Sequence, residues 1–162
     1  MSSIEVRPAR RGDADTIAGF QVAMALESEG LVLDPPTVAR GVLAVFDDPA
    51  KGGYWVAEDA GRLVGCLLVI PEWSDWRCAT VLWVHSLYVV PPARRRGVFA
   101  ALYGHLRKLV EQSADLAGLR LYVDKGNAPA QRAYEAVGMA CDHYDLYEWL
   151  KPVARDATEA DS

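Results

Sequence analysis

One strand–turn–helix unit, residues 80–110, constrains the fold of this chain more than any other part of the sequence. The run 80–90 is apolar and ends at two prolines, which predicts a strand. A turn with three consecutive arginines and Gly97 follows it. Beyond the turn, apolar residues recur with the spacing of one buried helix face: Phe99, Leu102, Tyr103, Leu106, Leu109 and Val110. The free N–H groups and dipole at the start of this helix, together with the arginines, predict a site for a phosphate-bearing ligand.

The glycine content of the turn separates the known kinds of phosphate site. A dinucleotide-binding turn needs three glycines and a nucleotide P-loop needs Gly-Lys followed by Ser or Thr, whereas here Gly97 stands alone. The turn instead resembles the acyl-CoA-binding motif of the GNAT superfamily of N-acetyltransferases, Gln/Arg-x-x-Gly-x-Gly/Ala. Arg94, Gly97 and Phe99 occupy its three defined positions, and Phe99 departs from the usual small residue. Because this family binds pyrophosphate mainly through main-chain amides, the resemblance still implies acyl-CoA binding.

A second motif lies about thirty residues further on. Asn127 is a good helix N-cap, and Gly138 stands where a C-cap glycine belongs, so a helix of about ten residues is predicted between them. The spacing of Asn127, Tyr134 and Gly138 is similar to the family element Asn-x-x-Ala-x-x-x-Tyr-x-x-x-Gly-Phe, with Met139 in place of Phe. The resemblance covers roughly residues 4–150 and is strongest over 80–139.

The resemblance implies an α+β architecture, the acyl-CoA N-acyltransferase fold. Its central mixed, mostly antiparallel sheet would have about six to seven strands, flanked by about four helices. The sequence pattern agrees with this architecture. Residues 54–70 have the pattern of a hairpin, and the alternation of side chains over 142–150 predicts a terminal strand. We expect a single domain over residues 1–151. The acidic stretch 152–162 lacks apolar periodicity and is predicted to be a disordered tail.

Composition excludes several function classes. The net charge of −5 with one local arginine cluster is not typical of a nucleic-acid-binding protein. Cys66, Cys78 and Cys141 are widely spaced, which favours neither a metal site nor a disulfide framework and fits a reducing compartment. The first residues lack the apolar region of a signal peptide, and no apolar run is long enough to span a bilayer. A cytoplasmic protein without nucleic-acid or membrane partners is expected, and a homodimer is left open.

The resemblance implies acetyl-CoA as the acyl donor, no metal, and a defined set of donor contacts. Amides of the arginine turn would hold the pyrophosphate, and the end of the preceding strand would pair with the pantetheine arm. A main-chain N–H near Leu87–Tyr88 would polarise the acetyl carbonyl. The residues implied at the donor site are Leu87, Tyr88, Val89, Arg94, Arg95, Arg96, Gly97, Val98, Phe99, Ala100 and Asn127.

The proton transfers are less fully assigned. Tyr134 matches the family tyrosine that protonates the departing thiolate, although a core aromatic on a helix face is the alternative. Glu72, His85 and Glu148 are candidates for a general base, and a water relay could replace them.

The acceptor is expected to be a primary amine of a small molecule. It would lie between the 27–33 region and the 71–77 loop, where Glu27 and Glu29 could attract an ammonium group and Trp73 and Trp76 could cover an apolar or cationic body. Each of these residues also has an ordinary structural explanation. Three alternatives stay open: acetylation of a protein N-terminus or lysine, a CoA-binding regulatory module without turnover, and a plain nucleotide-binding or interaction domain.

Overall fold

The computed structural model describes residues 3–152. The chain divides into two compact units, the first ending at Leu121 and the second beginning at Tyr122. The described strands are β1 (Glu5–Pro8), β2 (Gly53–Asp59), β3 (Arg62–Ser74), β4 (Ala79–Val89) and β5 (Leu116–Arg120). The described α-helices are α1 (Ala14–Glu29), α2 (Pro35–Asp47), α3 (Val98–Gln112) and α4 (Ala128–Ala136). That residues 1–151 form one domain stays a prediction.

The five strands form one mixed sheet in the first unit, and they lie in sequence order from β1 to β5. The pairs from β1 to β4 are antiparallel, whereas β5 is parallel to β4. A parallel partner needs a crossover connection, and α3 provides it. The predicted α+β architecture is therefore confirmed, with its mixed and mostly antiparallel sheet.

Helices cover the two faces of this sheet separately. Leu102 and Leu106 of α3 are buried against the inner residues of β3 and β4, such as Leu67 and Val84. On the other face Ile17 of α1 packs with residues of α2, β2, β3 and β4. The strand–turn–helix unit thus lies at the centre of the fold, as its apolar content predicts.

Local chemistry explains where the helices begin and end. Helix α2 follows Asp34, whose carboxylate accepts a hydrogen bond from the Thr37 N–H at 3.1 Å, and Pro35 occupies its first turn. Helix α1 ends at Gly30, whose φ of 65° is left-handed and closes the helix. These boundaries place a short non-helical segment, residues 30–34, between α1 and α2.

Strand β3 is longer than the sequence indicates, because it includes Pro71 and Trp73, which were expected in a loop. The pairing of β3 with β2 ends at Val69, so from Ile70 onward the edge of β3 on the β2 side has no partner strand. Pro71, which lacks an N–H, is tolerated on such an edge. The connection to β4 is therefore a tight hairpin turn over residues 75–78.

The prediction of a terminal strand over residues 142–150 is wrong. The structure describes these residues without regular secondary structure, and Tyr147 and Trp149 are among the most exposed side chains. A period of two favours a strand only where a neighbouring strand pairs with it, and here the alternation has no such partner among the described strands. The described sheet consequently has five strands rather than six to seven. The predicted tail lies outside the described residues except for its first residue.

Gly65 of β3 allows the close approach of α3 to the sheet. A Cβ atom there would lie 2.9 Å from Cγ1 of Val98 and 3.1 Å from the Tyr88 carbonyl oxygen. We expect Gly65→Ala to destabilise the protein by about 1–3 kcal/mol, the usual cost of overpacking. Thermal denaturation measures this. Gly104→Ala is the control: Gly104 lies inside α3 with open space around its Cβ position, so the change should be neutral or stabilising. An unchanged melting temperature for Gly65→Ala would contradict the tight packing.

Candidate active site

A β-bulge distorts the middle of β4. On β3, Cys66 pairs with Tyr88 and Leu68 pairs with His85, so two residues of β4 stand opposite one residue of β3. Within this bulge Ser86 has a left-handed φ of 52°, which is unusual for a residue other than glycine. The bulge bends β4 close to the point where its pairing with β5 ends.

Beyond the bulge, one edge of β4 is open. The parallel pairing of β4 with β5 ends at Trp83 and Arg120, and no described strand pairs with that edge further along β4. The Val90 N–H donates to the Val64 carbonyl of β3 at 2.9 Å. Since backbone groups alternate in direction along a strand, those of Val89 point away from β3. This open edge can therefore pair with an extended ligand.

The open edge runs into the start of α3. Gly97 is the N-cap with a left-handed φ of 82°, and no side chain caps the helix. The first N–H groups of α3, from Val98 to Ala100, therefore have no partner within the helix. A Cβ atom added at Gly97 would meet nothing within 4 Å, so space is open in front of the turn. Uncapped amides, the helix dipole and open space together suit a phosphate group.

Two of the three arginines of the turn are already paired with carboxylates. Arg94 forms a two-pronged ion pair with Glu27 of α1. Arg96 bonds Asp59 at the end of β2, with an N–O distance of 2.9 Å. Arg95 makes no ion pair with another described residue, and its own φ of 61° is left-handed. The main-chain amides and Arg95 are therefore the groups of the turn most available to an anion.

The face of the sheet covered by α1 and α2 carries a polar cluster beside the bulge. His85 pairs with Leu68, which packs toward those helices, so His85 lies on the same face. Glu72 accepts hydrogen bonds from the Trp83 indole and, at 3.3 Å, from Arg120. Burial lowers the pKa of the His85 imidazole below its usual value. At neutral pH His85 is therefore uncharged and can accept a proton.

Cys66, which lies next to the bulge, is not an activated nucleophile. Its side chain is fully buried, and burial raises the pKa of its thiol to about 12. Gln21 donates to its sulfur at 3.7 Å, and the thiol lies 3.9 Å from the Ser86 carbonyl oxygen. A thiol that stays protonated at neutral pH is a poor nucleophile, so Cys66 is not suited to take up an acyl group.

The structure does not bring the four proposed acceptor residues together. Glu27 contacts Arg94 beside the end of β4, whereas Trp73 pairs with Thr80 near the other end of that strand. Val89 lies nine positions after Thr80, a distance on the order of 30 Å along a strand. Trp73 and Trp76 are 63% and 88% exposed at the hairpin tip. A compact amine can therefore contact only one of the two groups, and a role for either in acceptor binding stays a prediction.

The second motif forms the predicted helix α4 in the second unit. The Asn127 side chain accepts a hydrogen bond from the Ala130 N–H at 3.2 Å, which confirms its capping role. Tyr134 lies near the end of α4 and is partly buried. Burial raises the pKa of its phenol above the usual value, so the hydroxyl is protonated at neutral pH. Tyr134 thus carries a proton that it could donate.

Two kinds of feature are not found among residues 3–152. No group of three or more His, Cys, Asp or Glu side chains there is arranged to hold a metal ion. None of the described helices is long and apolar enough to cross a membrane.

Comparison with known proteins agrees with this geometry. Residues 25–139 match the model of the acetyltransferase (GNAT) family. A solved structure of a possible acetyltransferase from Clostridium difficile 630 shares 37% sequence identity, with a TM-score of 0.86 over 93% of this chain and 99% of that one. A search of curated proteins found no match.

More distant structures share the fold alone. A ribosomal-protein-alanine N-acetyltransferase from Brucella melitensis biovar Abortus 2308 is 18% identical, with a TM-score of 0.73 over 91% of this chain and 100% of that one. An aminoglycoside acetyltransferase from an uncultured soil metagenomic sample, solved in complex with sisomicin, is 12% identical, with a TM-score of 0.71 over 93% of this chain and 97% of that one. The family model and the 37% identical structure carry the assignment: this chain belongs to the GNAT family and is an acetyltransferase.

Proposed function

We propose that this protein transfers the acetyl group of acetyl-CoA to a primary amine of a small molecule by direct attack. The observation that carries the proposal is the continuous path from the open edge of β4 to the uncapped start of α3. A strand edge suits the amide groups of a pantetheine arm, and a helix start suits a pyrophosphate. The residues present therefore fit the donor that the GNAT family generally uses.

Main-chain groups would do most of the donor binding. Amides from Arg95 to Ala100 would hold the pyrophosphate. The 87–89 edge would pair with the pantetheine arm through main-chain groups other than the Val89 carbonyl, which accepts a hydrogen bond from Arg94. A main-chain N–H near Leu87–Tyr88, next to the bulge of β4, would donate to the thioester carbonyl oxygen. One such donor contributes roughly 3 kcal/mol to transition-state stabilisation in other enzymes.

Two side chains would handle the protons. The amine nitrogen forms a bond to the acetyl carbon, the C–S bond breaks, and the thiolate takes a proton from the Tyr134 hydroxyl. His85 is the base candidate that the geometry favours, because it is uncharged at neutral pH and lies beside the bulge on the face of α1 and α2. Glu72 is less suited because its carboxylate already accepts bonds from Trp83 and Arg120. A water molecule between the amine and His85 would serve the same purpose.

The proposal is tested in two steps. Acetyl-CoA should raise the melting temperature, since a ligand that binds only the folded state stabilises it. Release of free thiol is then followed with a panel that holds compact primary amines, peptides with free N-termini and peptides with internal lysines. Turnover of compact amines alone is expected. Turnover of peptides alone would move the acceptor class to proteins, and binding of acetyl-CoA without turnover of any acceptor would favour a regulatory module.

A further inference from the structure

The guanidinium of Arg94 makes three contacts that fix its position. Its Nη2 donates to Oε2 of Glu27 at 2.8 Å, and its Nη1 bonds the other carboxylate oxygen. Its Nε donates to the Val89 carbonyl at 2.9 Å. The guanidinium carbon also lies 5.7 Å from the ring centroid of Tyr88, within range of a cation–π contact. A guanidinium that bonds partners on two of its sides in this way is held more rigidly than that of an ordinary surface arginine.

These contacts join three parts of the proposed site. Val89 is the last residue of β4 and belongs to its open edge. Arg94 lies three residues before Gly97 and therefore opens the donor turn. Glu27 lies in the last turn of α1, just before Gly30 and the segment that leads to α2. One side chain thus ties the end of α1 to the donor edge.

The same contacts argue against a phosphate ligand for the Arg94 side chain. The carboxylate of Glu27 neutralises the guanidinium and would repel an anion placed next to it. The Arg94 guanidinium holds the pKa of the Glu27 carboxyl below its usual range, so both groups stay charged at neutral pH. An arginine at this motif position would be expected to bind the donor, yet here its charge is already used within the chain.

We propose that Glu27 and Arg94 act as one positioning pair, which holds the α1–α2 segment against the donor edge and so sets the acceptor site. This inference rests on the proposed function, in which the amine approaches His85 beside the bulge of β4, on the face that α1 and α2 cover. The segment that the pair holds is apolar and exposed, with Leu31 and Val32 after Gly30. Without the pair, the C-terminal end of α1 loses this ion pair to the donor edge, and the acceptor is held less well while the donor amides are unchanged.

Glu27→Gln and Arg94→Gln test the pair, alone and together. Each single change should raise the acceptor KM about fivefold to tenfold, and the double variant should be no worse than either, because partners in one interaction are not additive. The kcat value and the dissociation constant of acetyl-CoA should change less than twofold. Glu111→Gln is the control, since it breaks a similarly exposed ion pair, with Arg107, that lies within α3 alone. It should change none of these values.

Hydrogen exchange tests the pair without an acceptor, so it separates this inference from the proposed function. The Gly30 and Leu31 N–H groups bond to carbonyls of α1, at 3.1 Å in each case. Their exchange should become at least fivefold faster in Glu27→Gln and in Arg94→Gln, and stay unchanged in Glu111→Gln. If Arg94→Gln alone weakens acetyl-CoA binding tenfold, Arg94 is a donor ligand and the inference is overturned. Unchanged exchange in both variants, or single effects that multiply, would overturn it as well.

Discussion

Tyr134→Phe is expected to lower kcat about 10²-fold, the usual scale for a positioned general acid. Phenylalanine keeps the ring and its packing but has no proton for the departing thiolate. The dissociation constant of acetyl-CoA and the melting temperature should therefore change little. Single-turnover kinetics measure the chemical step directly, so slow product release cannot hide the loss.

The pH dependence gives this prediction a second test. The acid must be protonated to act, and burial raises the pKa of Tyr134 above its ordinary value of about 10. The wild-type rate should therefore fall only as the pH rises through that raised pKa, and this alkaline decline should vanish in Tyr134→Phe. Tyr54→Phe is the control. Burial also raises the pKa of Tyr54, to about 12, but this tyrosine lies in the core that α1 and α2 cover. Full single-turnover chemistry in Tyr134→Phe would leave Tyr134 as a packing residue.

Gly97→Leu should weaken acetyl-CoA binding at least tenfold, or by about 1.4 kcal/mol. A Cβ atom at Gly97 meets no atom of the chain, so the leucine side chain would occupy the open space in front of the first amides of α3. The left-handed φ of Gly97 adds a backbone cost of about 1–2 kcal/mol to folding. Isothermal titration calorimetry measures the affinity, and circular dichroism checks that the fold persists.

Gly30→Leu separates the two effects of that substitution. Gly30 also has a left-handed φ, of 65°, and its Cβ position is also open, but it closes α1 and does not belong to the donor turn. The two variants should lose similar stability, whereas only Gly97→Leu should lose acetyl-CoA affinity. Equal affinity in both would mean that the pyrophosphate binds elsewhere.

Much of this fold could be predicted because its signals are local. Residues close together in sequence determine strand β4, which ends just before Pro91, the glycine turn and the periodic helix α3. The start of α4 is equally local, because the Asn127 side chain caps this helix by accepting a hydrogen bond from an N–H only three residues further on. Short-range rules of this kind apply before any tertiary contact is known.

The remaining features depend on distant partners. Ser86 takes a left-handed conformation within an apolar run that has no glycine, so nothing in the run indicates a bulge. Arg94 and Glu27 are 67 residues apart, and their pairing depends on how α1 lies against β4. The alternation over 142–150 indicated a strand, yet a strand also needs a neighbour, which the pattern cannot supply.

The outer edge of β3 has a consequence for how this protein behaves at high concentration. Beyond Val69 that edge lacks β2, and an unpaired edge is where a strand of another molecule could add and begin aggregation. Pro71 has no N–H to offer such a strand, and the charged Glu72 follows it. Strand β3 can therefore extend beyond β2 without recruiting a second molecule along that edge.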